Sequence, residues 1–150
     1  MTVSPRARAQ RRQDNEHRLA REVDLWVATA SRAGAPHLVP LSFDWDGERL
    51  LLATPAGSPT GMNLAESRVA VVGLGETRDV VMIEGDVEVL QMDDLPPEAG
   101  DRFAGRTGFD PRTLTTPYRW FRVTPRRVQA WREADELAGR TLMRDGVWLD

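Results

Sequence analysis

Short runs of alternating apolar and polar residues dominate the chain after residue 24, and they predict β-strands. Residues 25–30, 37–45 and 48–54 form three such runs, joined by turn-forming residues. Three strands in a row leave no room for crossover helices, so the pattern excludes a parallel sheet and predicts an antiparallel meander. Asp46 and Gly47, between the second and third runs, predict a two-residue hairpin with positive φ at both positions.

The later part of the chain contains three more predicted strands. Residues 68–74 form a continuous apolar run, which is typical of a buried strand. Residues 80–91 keep apolar side chains at alternate positions, with Gly85 as a predicted bend or bulge. In residues 118–133, Pro125 predicts a break, because proline cannot donate to the strand ladder.

Helical patterns lie between and before these strands. Ser4 followed by Pro5 predicts a helix that starts there and ends near residue 22, and two shorter helices are predicted over residues 60–67 and 95–108. The predicted fold class is therefore mainly β with edge helices: a six-stranded antiparallel split β-barrel. We predict an Arg-rich N-terminal helix or arm over residues 1–22 and a barrel domain over residues 23–150.

Composition removes several kinds of chemistry. The chain of 150 residues has no cysteine, which excludes disulfides, thiolate catalysis and cysteine-ligated metals. It has no lysine either, so a Schiff base and a P-loop cation are excluded and any anion must be bound by arginine, hydroxyls or backbone N–H groups. The formal net charge is −3, but residues 112–144 are rich in arginine and could meet an anionic ligand or a partner subunit.

Location and macromolecular partners are constrained by the same pattern. No apolar run approaches the roughly 20 residues of a membrane span, and the N-terminus lacks the apolar stretch of a secretory signal, so we expect a cytoplasmic protein without a membrane partner. The Arg-rich start could contact nucleic-acid phosphates, but no aromatic residue is interleaved and no helix-turn-helix follows. Nucleic acid is therefore not the expected partner, and an Arg-arm nucleic-acid binder stays a third hypothesis.

Familiar catalytic motifs are absent from the sequence. Gly73-Leu74-Gly75 begins like a dinucleotide fingerprint, but the third glycine and the following helix are missing. The two histidines, His17 and His37, lack metal-ligand spacing, and no Gly-x-Ser-x-Gly occurs. We assign no metal ligand and no catalytic side chain.

Two segments have residues suited to binding a ligand, and each also has a purely structural explanation. Residues 54–63 run from a strand with small and hydroxyl residues into a helix start, where backbone N–H groups and hydroxyls can bind an anion; plain helix capping explains the same pattern. Residues 126–148 place Trp131 between arginines on a late strand, where it could stack on a planar ring beside a phosphate; a core tryptophan with solvated arginines is the alternative.

Taken together, the segments resemble the pyridoxamine 5′-phosphate oxidase-like superfamily of FMN-binding split barrels, in particular its actinobacterial flavin- and deazaflavin-dependent branch. The matching stretches are LWVATASRAGAPHLVPLSFDWDGERLLLAT, MNL, VAVVGLG with DVVMIEGDVEVL, and RVQAWREADELAGRTLMRDGVWL. The resemblance implies a homodimer with two cofactor sites at the subunit interface. It places three groups of residues around the cofactor: Val39, Pro40, Leu41 and Ser42 at the ring edge, Thr54, Ser58, Thr60 and Asn63 around the phosphate, and Gln129, Trp131 and Arg140 from the other subunit.

The sequence departs from that family in two places. Many relatives have a cation in the loop that here reads Ser58-Pro59-Thr60-Gly61, or arginine where Met62 stands, and losing it removes a charge-assisted hydrogen bond worth roughly 1.5–3 kcal/mol. Pyridoxamine phosphate oxidases also have a His-Asp pair between two C-terminal arginines, where this chain has residues 141–143, Thr-Leu-Met. We therefore do not expect oxidation of pyridoxamine phosphate.

The resemblance implies an oxidoreductase that transfers hydride between FMN, or the deazaflavin coenzyme F-420, and a small organic substrate. The protein would supply orientation and electrostatics, and the cofactor the chemistry. The alternative, favoured by the missing loop cation, is a non-catalytic split-barrel protein that binds a cofactor, haem or an apolar ligand.

Overall fold

The computed structural model describes residues 4–150, and these residues fold mostly into β-strands. Within this range there are three α-helices and eight strands: α1 (Arg8–Arg21), β1 (Asp24–Ala30), β2 (Pro36–Trp45), β3 (Leu50–Pro55), α2 (Pro59–Ser67), β4 (Val69–Leu74), β5 (Val80–Leu90), α3 (Pro97–Thr107), β6 (Tyr118–Trp131), β7 (Thr141–Arg144) and β8 (Val147–Trp148).

Six of the strands close into an antiparallel barrel, which confirms the predicted fold class. Neighbouring strands follow the order β3-β2-β1-β4-β5-β6, and the first half of β6 returns to pair with β3. β7 and β8 form a C-terminal hairpin that pairs with the second half of β6. The 14-residue β6 therefore belongs to the barrel at one end and supports the hairpin at the other.

The core lies inside the barrel, where alternate side chains of every strand point inward. The inward parity predicted for β5 is confirmed, because Val81, Ile83 and Val87 are buried. A smaller apolar cluster lies under α3, where the rings of Phe103 and Trp120 meet edge to face at 5.1 Å. α3 ends as predicted at Gly108, whose φ of +73° is a left-handed helix cap.

Helix α1 begins at Arg8, so the predicted start at Ser4 is wrong. Ala7, the residue before the helix, is extended and makes no side-chain cap. Arg6 is instead held in a tertiary contact, because its side chain donates to Glu136 at 3.1 Å and to Asp14 at 2.9 Å. Of the predicted arm over residues 1–22, residues 1–3 lie outside the described residues.

The two Asp-Gly turns of the chain differ. The predicted two-residue hairpin at Asp46-Gly47 is wrong, because only Gly47 has positive φ and the loop between β2 and β3 spans residues 46–49. The Asp46 carboxylate accepts hydrogen bonds from the backbone N–H groups of residues 48 and 49, which favours the longer loop. Asp145 and Gly146, between β7 and β8, do both have positive φ, at 52° and 77°.

Strand β6 continues through Pro125, so the predicted break is wrong. Instead, the register between β5 and β6 shifts by one residue opposite Gly85, which confirms that glycine as a bulge position. The bulge places Pro125 opposite a residue without a side chain and leaves Arg126 as the extra residue of the ladder. A Cβ at position 85 would lie 2.6 Å from the carbonyl oxygen of Thr124, so only glycine fits.

Strand β4 is buried, as its apolar run predicts, but only on its inner face. Ala70, Val72 and Leu74 point inward, whereas Val69 is 51% exposed on the outer face. The apolar outer face of β4 continues onto the neighbouring strands, as described below. No helix within residues 4–150 is both long and apolar enough to cross a membrane.

Candidate cofactor site

The loop between β3 and α2 is organised by one hydroxyl. Ser58, rather than the predicted Thr60, caps α2: its Oγ accepts from the backbone N–H of Gly61 at 3.0 Å and donates to the carbonyl of Pro55 at 2.8 Å. The Thr54 hydroxyl lies 3.4 Å from the same Oγ. The structure thus brings the predicted hydroxyl residues together, but two hydrogen bonds of Ser58 already serve the helix start.

The loop is also packed tightly around its glycine. A Cβ on Gly61 would lie 2.3 Å from the carbonyl oxygen of Pro55, while one on Gly57 would meet no atom within 4 Å. Thr60 is almost completely buried, whereas Met62, which replaces the arginine of many relatives, is 55% exposed. The helix start therefore has a fixed backbone shape and no cation.

Asn63 ties helix α2 to strand β1. Its amide donates to the hydroxyl of Thr29 at 3.1 Å, and Thr29 is itself nearly buried. Sequence reasoning missed Thr29. The usable signal was a hydroxyl residue at a position of β1 where the alternation predicts an inward, apolar side chain. Asn63 lies on the same helix as the loop hydroxyls, but its amide N–H is engaged within the chain.

Strand β2 offers an unpaired backbone edge at the predicted ring contacts. It pairs with β1 over its length up to Ser42, but with β3 only at Phe43–Trp45. Over residues 36–42, the edge turned away from β1 has no strand partner within the described chain. Val39 and Leu41 face the interior, Pro40 faces outward, and the Ser42 hydroxyl donates to Asp24 at 2.7 Å. Free N–H and C=O groups along an edge suit the polar rim of a flat heterocycle.

Gln129, Trp131 and Arg140 lie together at the far end of β6. Gln129 and Trp131 share the outer face of the strand and are half-buried. The Arg140 guanidinium carbon lies 5.8 Å from the centre of the Trp131 ring, and its Nη1 donates to the carbonyl of Leu137 at 3.2 Å. The indole and the guanidinium therefore lie together in one chain, and their role in cofactor binding stays a prediction.

One row of cross-strand neighbours connects the two groups of predicted residues. Pro40 pairs with Trp26, Trp26 with Gly73, Gly73 with Met82, and Met82 with Gln129. All five lie on the outer face of the sheet, and four strand spacings put Pro40 and Gln129 about 19 Å apart along it. Within one chain, the predicted ring contacts and the Trp131–Arg140 pair do not meet.

The face between the two groups is apolar and exposed. Trp26 is 47% and Met82 is 38% exposed, and Leu38 and Val69 on the same side of the sheet are more exposed still. Sequence reasoning did not single out Trp26 or Met82. Their signal was a large apolar residue at each outward position, where a solvated strand would have polar side chains.

Helix α1 braces the segment that leads to Arg140. The buried guanidinium of Arg11 donates to the carbonyl oxygens of Ala130 at 3.2 Å and Glu136 at 2.8 Å, and it lies 3.3 Å from the Glu136 carboxylate. Arg6 binds the same carboxylate and also Asp14. Burial alone would raise the pKa of Asp14, but hydrogen bonds from Arg6 and Gln10 outweigh it and lower that pKa below its ordinary 3.8.

Within residues 4–150, no group of three or more carboxylate and histidine side chains lies close enough to hold a metal ion. The stretch that would hold the His-Asp pair of pyridoxamine phosphate oxidases packs into the core instead, because Leu142 and Met143 are buried.

A closed six-stranded antiparallel barrel with helices at its edges and an exposed apolar outer face defines a split β-barrel protein of the FMN-binding type. The family model described as pyridoxamine 5′-phosphate oxidase matches residues 14–132. The chain belongs to this family. Arg140 and the C-terminal hairpin lie outside the matched residues.

Solved structures show the same fold at low sequence identity. An F420 reductase is 19% identical, with a TM-score of 0.61 over 75% of this chain and 94% of its own. HupZ from Group A Streptococcus is 14% identical, with a TM-score of 0.62 over 80% of this chain and 94% of its own. A pyridoxamine 5′-phosphate oxidase-related, FMN-binding protein from Nostoc punctiforme is 17% identical, with a TM-score of 0.53 over 81% of this chain and 80% of its own. Among curated protein sequences, none matches this chain.

Proposed function

We propose that this chain is a homodimeric oxidoreductase that binds FMN or a deazaflavin coenzyme between its subunits and exchanges hydride between that cofactor and a small organic substrate. The observation that carries the proposal is the cross-strand row from Pro40 to Gln129, with exposed Trp26 and Met82 between its ends. A two-fold axis through such a face places each end of the row opposite the other end in the second copy.

This dimer would complete two equivalent sites. The free backbone edge of β2 in one subunit would meet Gln129, Trp131 and Arg140 of the partner subunit. The exposed apolar face between them would be buried at the same time, which supplies a driving force of about 25 cal/mol per Å² of apolar surface. Neither half of the site is sufficient alone, because the indole and the guanidinium lie on the opposite end of the row from the β2 edge.

The residues of the site divide the work of binding. The β2 edge would orient the ring, Trp131 would cover its face and exclude water, and Arg140 would attract the phosphate. The N-terminus of α2 with Thr54, Ser58, Thr60 and Asn63 would receive the phosphate through backbone N–H and hydroxyl groups. When bound, a flavin or deazaflavin supplies the hydride chemistry, and the substrate proton would come from water.

A titration tests the cofactor. Purified protein titrated with FMN and with F-420 should show quenched tryptophan fluorescence, and Arg140→Ala should weaken binding at least tenfold, since it removes a charge-assisted contact. Arg144→Ala, an exposed arginine of the same terminal segment, is the matched control and should bind like the parent. Absence of binding of both cofactors at micromolar concentrations would contradict the proposal.

A second experiment tests the dimer. Sedimentation should give a dimer for the parent protein, and Trp26→Arg should yield a monomer that has lost cofactor binding. Leu114→Arg is the matched control, because Leu114 is 45% exposed and belongs to none of the strands that form the row. A parent protein that sediments as a monomer would overturn the shared site.

The alternative function, a non-catalytic protein that binds a cofactor, haem or an apolar ligand, is favoured by one observation. The loop from Thr54 to Asn63 contains no cation, and its Ser58 hydroxyl already caps α2. The two functions differ in turnover. Bound cofactor that is reduced by NAD(P)H or by a deazaflavin-reducing system faster than free cofactor supports the oxidoreductase, and binding without such reduction supports the alternative.

A further inference from the structure

A cavity lies at one end of the barrel, beneath α1 and the C-terminal hairpin. Its volume is about 220 Å³, and its floor is formed by buried residues Asn15, Leu19, Ile83 and Val128. None of the residues of the cross-strand row from Pro40 to Gln129 lines it. The cavity is therefore separate from the candidate cofactor site.

Two indoles and a polar rim shape the remaining walls. Trp45 and Trp148 are half-buried, and the Arg12 guanidinium carbon lies 4.3 Å from the centre of the Trp148 ring, which holds that ring in place. Glu48 and Thr124 are exposed at the opening. The floor has no charged side chain, so an occupant is neutral at its buried end.

One polar side chain in the floor has no hydrogen-bond partner within residues 4–150. Asn15 is 1% exposed, and both its Oδ1 and its Nδ2 are buried without a hydrogen-bond partner among the described residues. Buried amides are normally satisfied, and each group left without a partner costs roughly 1–3 kcal/mol. An amide that faces a cavity with both its donor and its acceptor free can be satisfied by a ligand that presents the complementary pair.

We infer that this cavity binds a neutral aromatic compound of one or two rings that bears a primary amide or a lactam. An amide edge donates one N–H to Asn15 Oδ1 and accepts one from Nδ2, while the ring packs against Leu19, Ile83 and the indoles. The volume fits, because an apolar cavity of about 150 Å³ already takes benzene. A carboxylate is excluded, since it would oppose Oδ1 and bury a charge.

The chain contains a single isoleucine, and that residue lies in the cavity floor. With ¹³C-labelled isoleucine methyl groups, benzamide should shift the Ile83 resonance in a saturable manner. Benzoate should not shift it, and N,N-dimethylbenzamide, which keeps the ring and loses the N–H donors, should bind roughly tenfold more weakly or worse. If the Ile83 resonance stays unchanged up to the solubility limit of benzamide, the cavity holds only water. If both amides bind with equal affinity, the amide edge is not recognised. Either result overturns the inference.

Asn15→Leu separates recognition from packing. The variant should weaken benzamide binding by roughly tenfold or more while leaving toluene binding unchanged, because only the paired hydrogen bonds are lost. Its melting temperature should equal or exceed that of the parent, and FMN affinity should not change. Gln10→Leu, on the exposed side of α1, is the control and should bind benzamide like the parent. Benzamide affinity that Asn15→Leu leaves unchanged would refute the assignment.

Discussion

The two halves of the candidate cofactor site are held in different ways. The loop from Thr54 to Asn63 is organised within ten residues, chiefly by the Ser58 hydroxyl that caps α2. The segment from Trp131 to Arg140 depends on α1, because Arg11 reaches Ala130 and Glu136 across 119 and 125 residues of sequence. The first half is organised mainly by contacts between near neighbours and is tied to the sheet by Asn63, whereas the second depends on the docked N-terminal helix.

The largest effect should come from removing the long-range brace. Arg11→Met leaves the Ala130 and Glu136 carbonyls unpaired, and it takes one of two arginines from the buried Glu136 carboxylate, so we expect a loss of about 3–5 kcal/mol in the free energy of unfolding. Urea denaturation measures it. Arg21→Met, an exposed arginine of the same helix, is the control and should change stability by less than about 0.5 kcal/mol. Equal effects of the two substitutions would show that α1 does not brace the segment.

The second-largest loss of stability should come from changing the backbone of the loop from Thr54 to Asn63. Gly61→Ala places a Cβ 2.3 Å from the Pro55 carbonyl and should cost about 1–3 kcal/mol by overpacking. Gly57→Ala meets no atom within 4 Å and should be neutral or slightly stabilising. Thermal unfolding of the two variants compares them directly. If Gly61→Ala melts like Gly57→Ala, the loop is not packed as described.

A smaller effect separates capping from anion binding at Ser58. Ser58→Ala should cost about 1 kcal/mol of stability through the lost cap, and Ser58→Asp should restore most of it, because aspartate is also a good N-cap. Aspartate adds a negative charge, so Ser58→Asp should still weaken FMN binding if the phosphate lies there. If Ser58→Asp is stable and binds FMN like the parent, the Ser58 hydroxyl caps α2 and does not contact the phosphate.

The smallest effect is the dependence of stability on pH. Burial alone would raise the pKa of Asp46, but backbone hydrogen bonds from Arg49 and Glu48 outweigh it, so this pKa, like that of Asp14, lies below 3.8 in the folded state. Ionised Asp14 and Asp46 therefore stabilise the fold above about pH 3.8, the pKa of the unfolded state. This stabilisation is lost as the pH falls through their lower folded-state pKa values. The free energy of unfolding, measured by urea denaturation, should fall less between pH 5 and pH 3 in Asp14→Asn than in the parent, and the difference should be less than about 1 kcal/mol. An unchanged slope would argue against the Arg6–Asp14 contact.

Local sequence explains what could be predicted. Alternating apolar residues gave the strands, and the inward parity of Val81, Ile83 and Val87 is confirmed, because burial on one face leaves a period of two. Trp131 and Arg140 were both singled out from the sequence as cofactor residues; their contact with each other was not foreseen, and their role in binding stays a prediction.

Long-range contacts explain most of what could not be predicted, and one local side-chain contact explains the rest. The start of α1 depends on Arg6 binding Glu136, 130 residues away. The same Asp-Gly pair gives different turns at Asp46 and Asp145, because only the first carboxylate accepts two backbone N–H groups of a longer loop. The apolar run of β4 predicted a buried strand, but its outer face is exposed in the single chain.

The bulge opposite Gly85 sets the phase of the strand end that presents Gln129 and Trp131. Side chains alternate along β6, so a slip of one residue beyond the bulge would turn these two inward and bring Val128 and Ala130 out. Any insertion or deletion between Arg126 and Trp131 must therefore come in pairs of residues to keep Gln129 and Trp131 on the outer face. Protein engineers who wish to change the reach of this strand can alter its length only by even steps, unless they move the glycine with it.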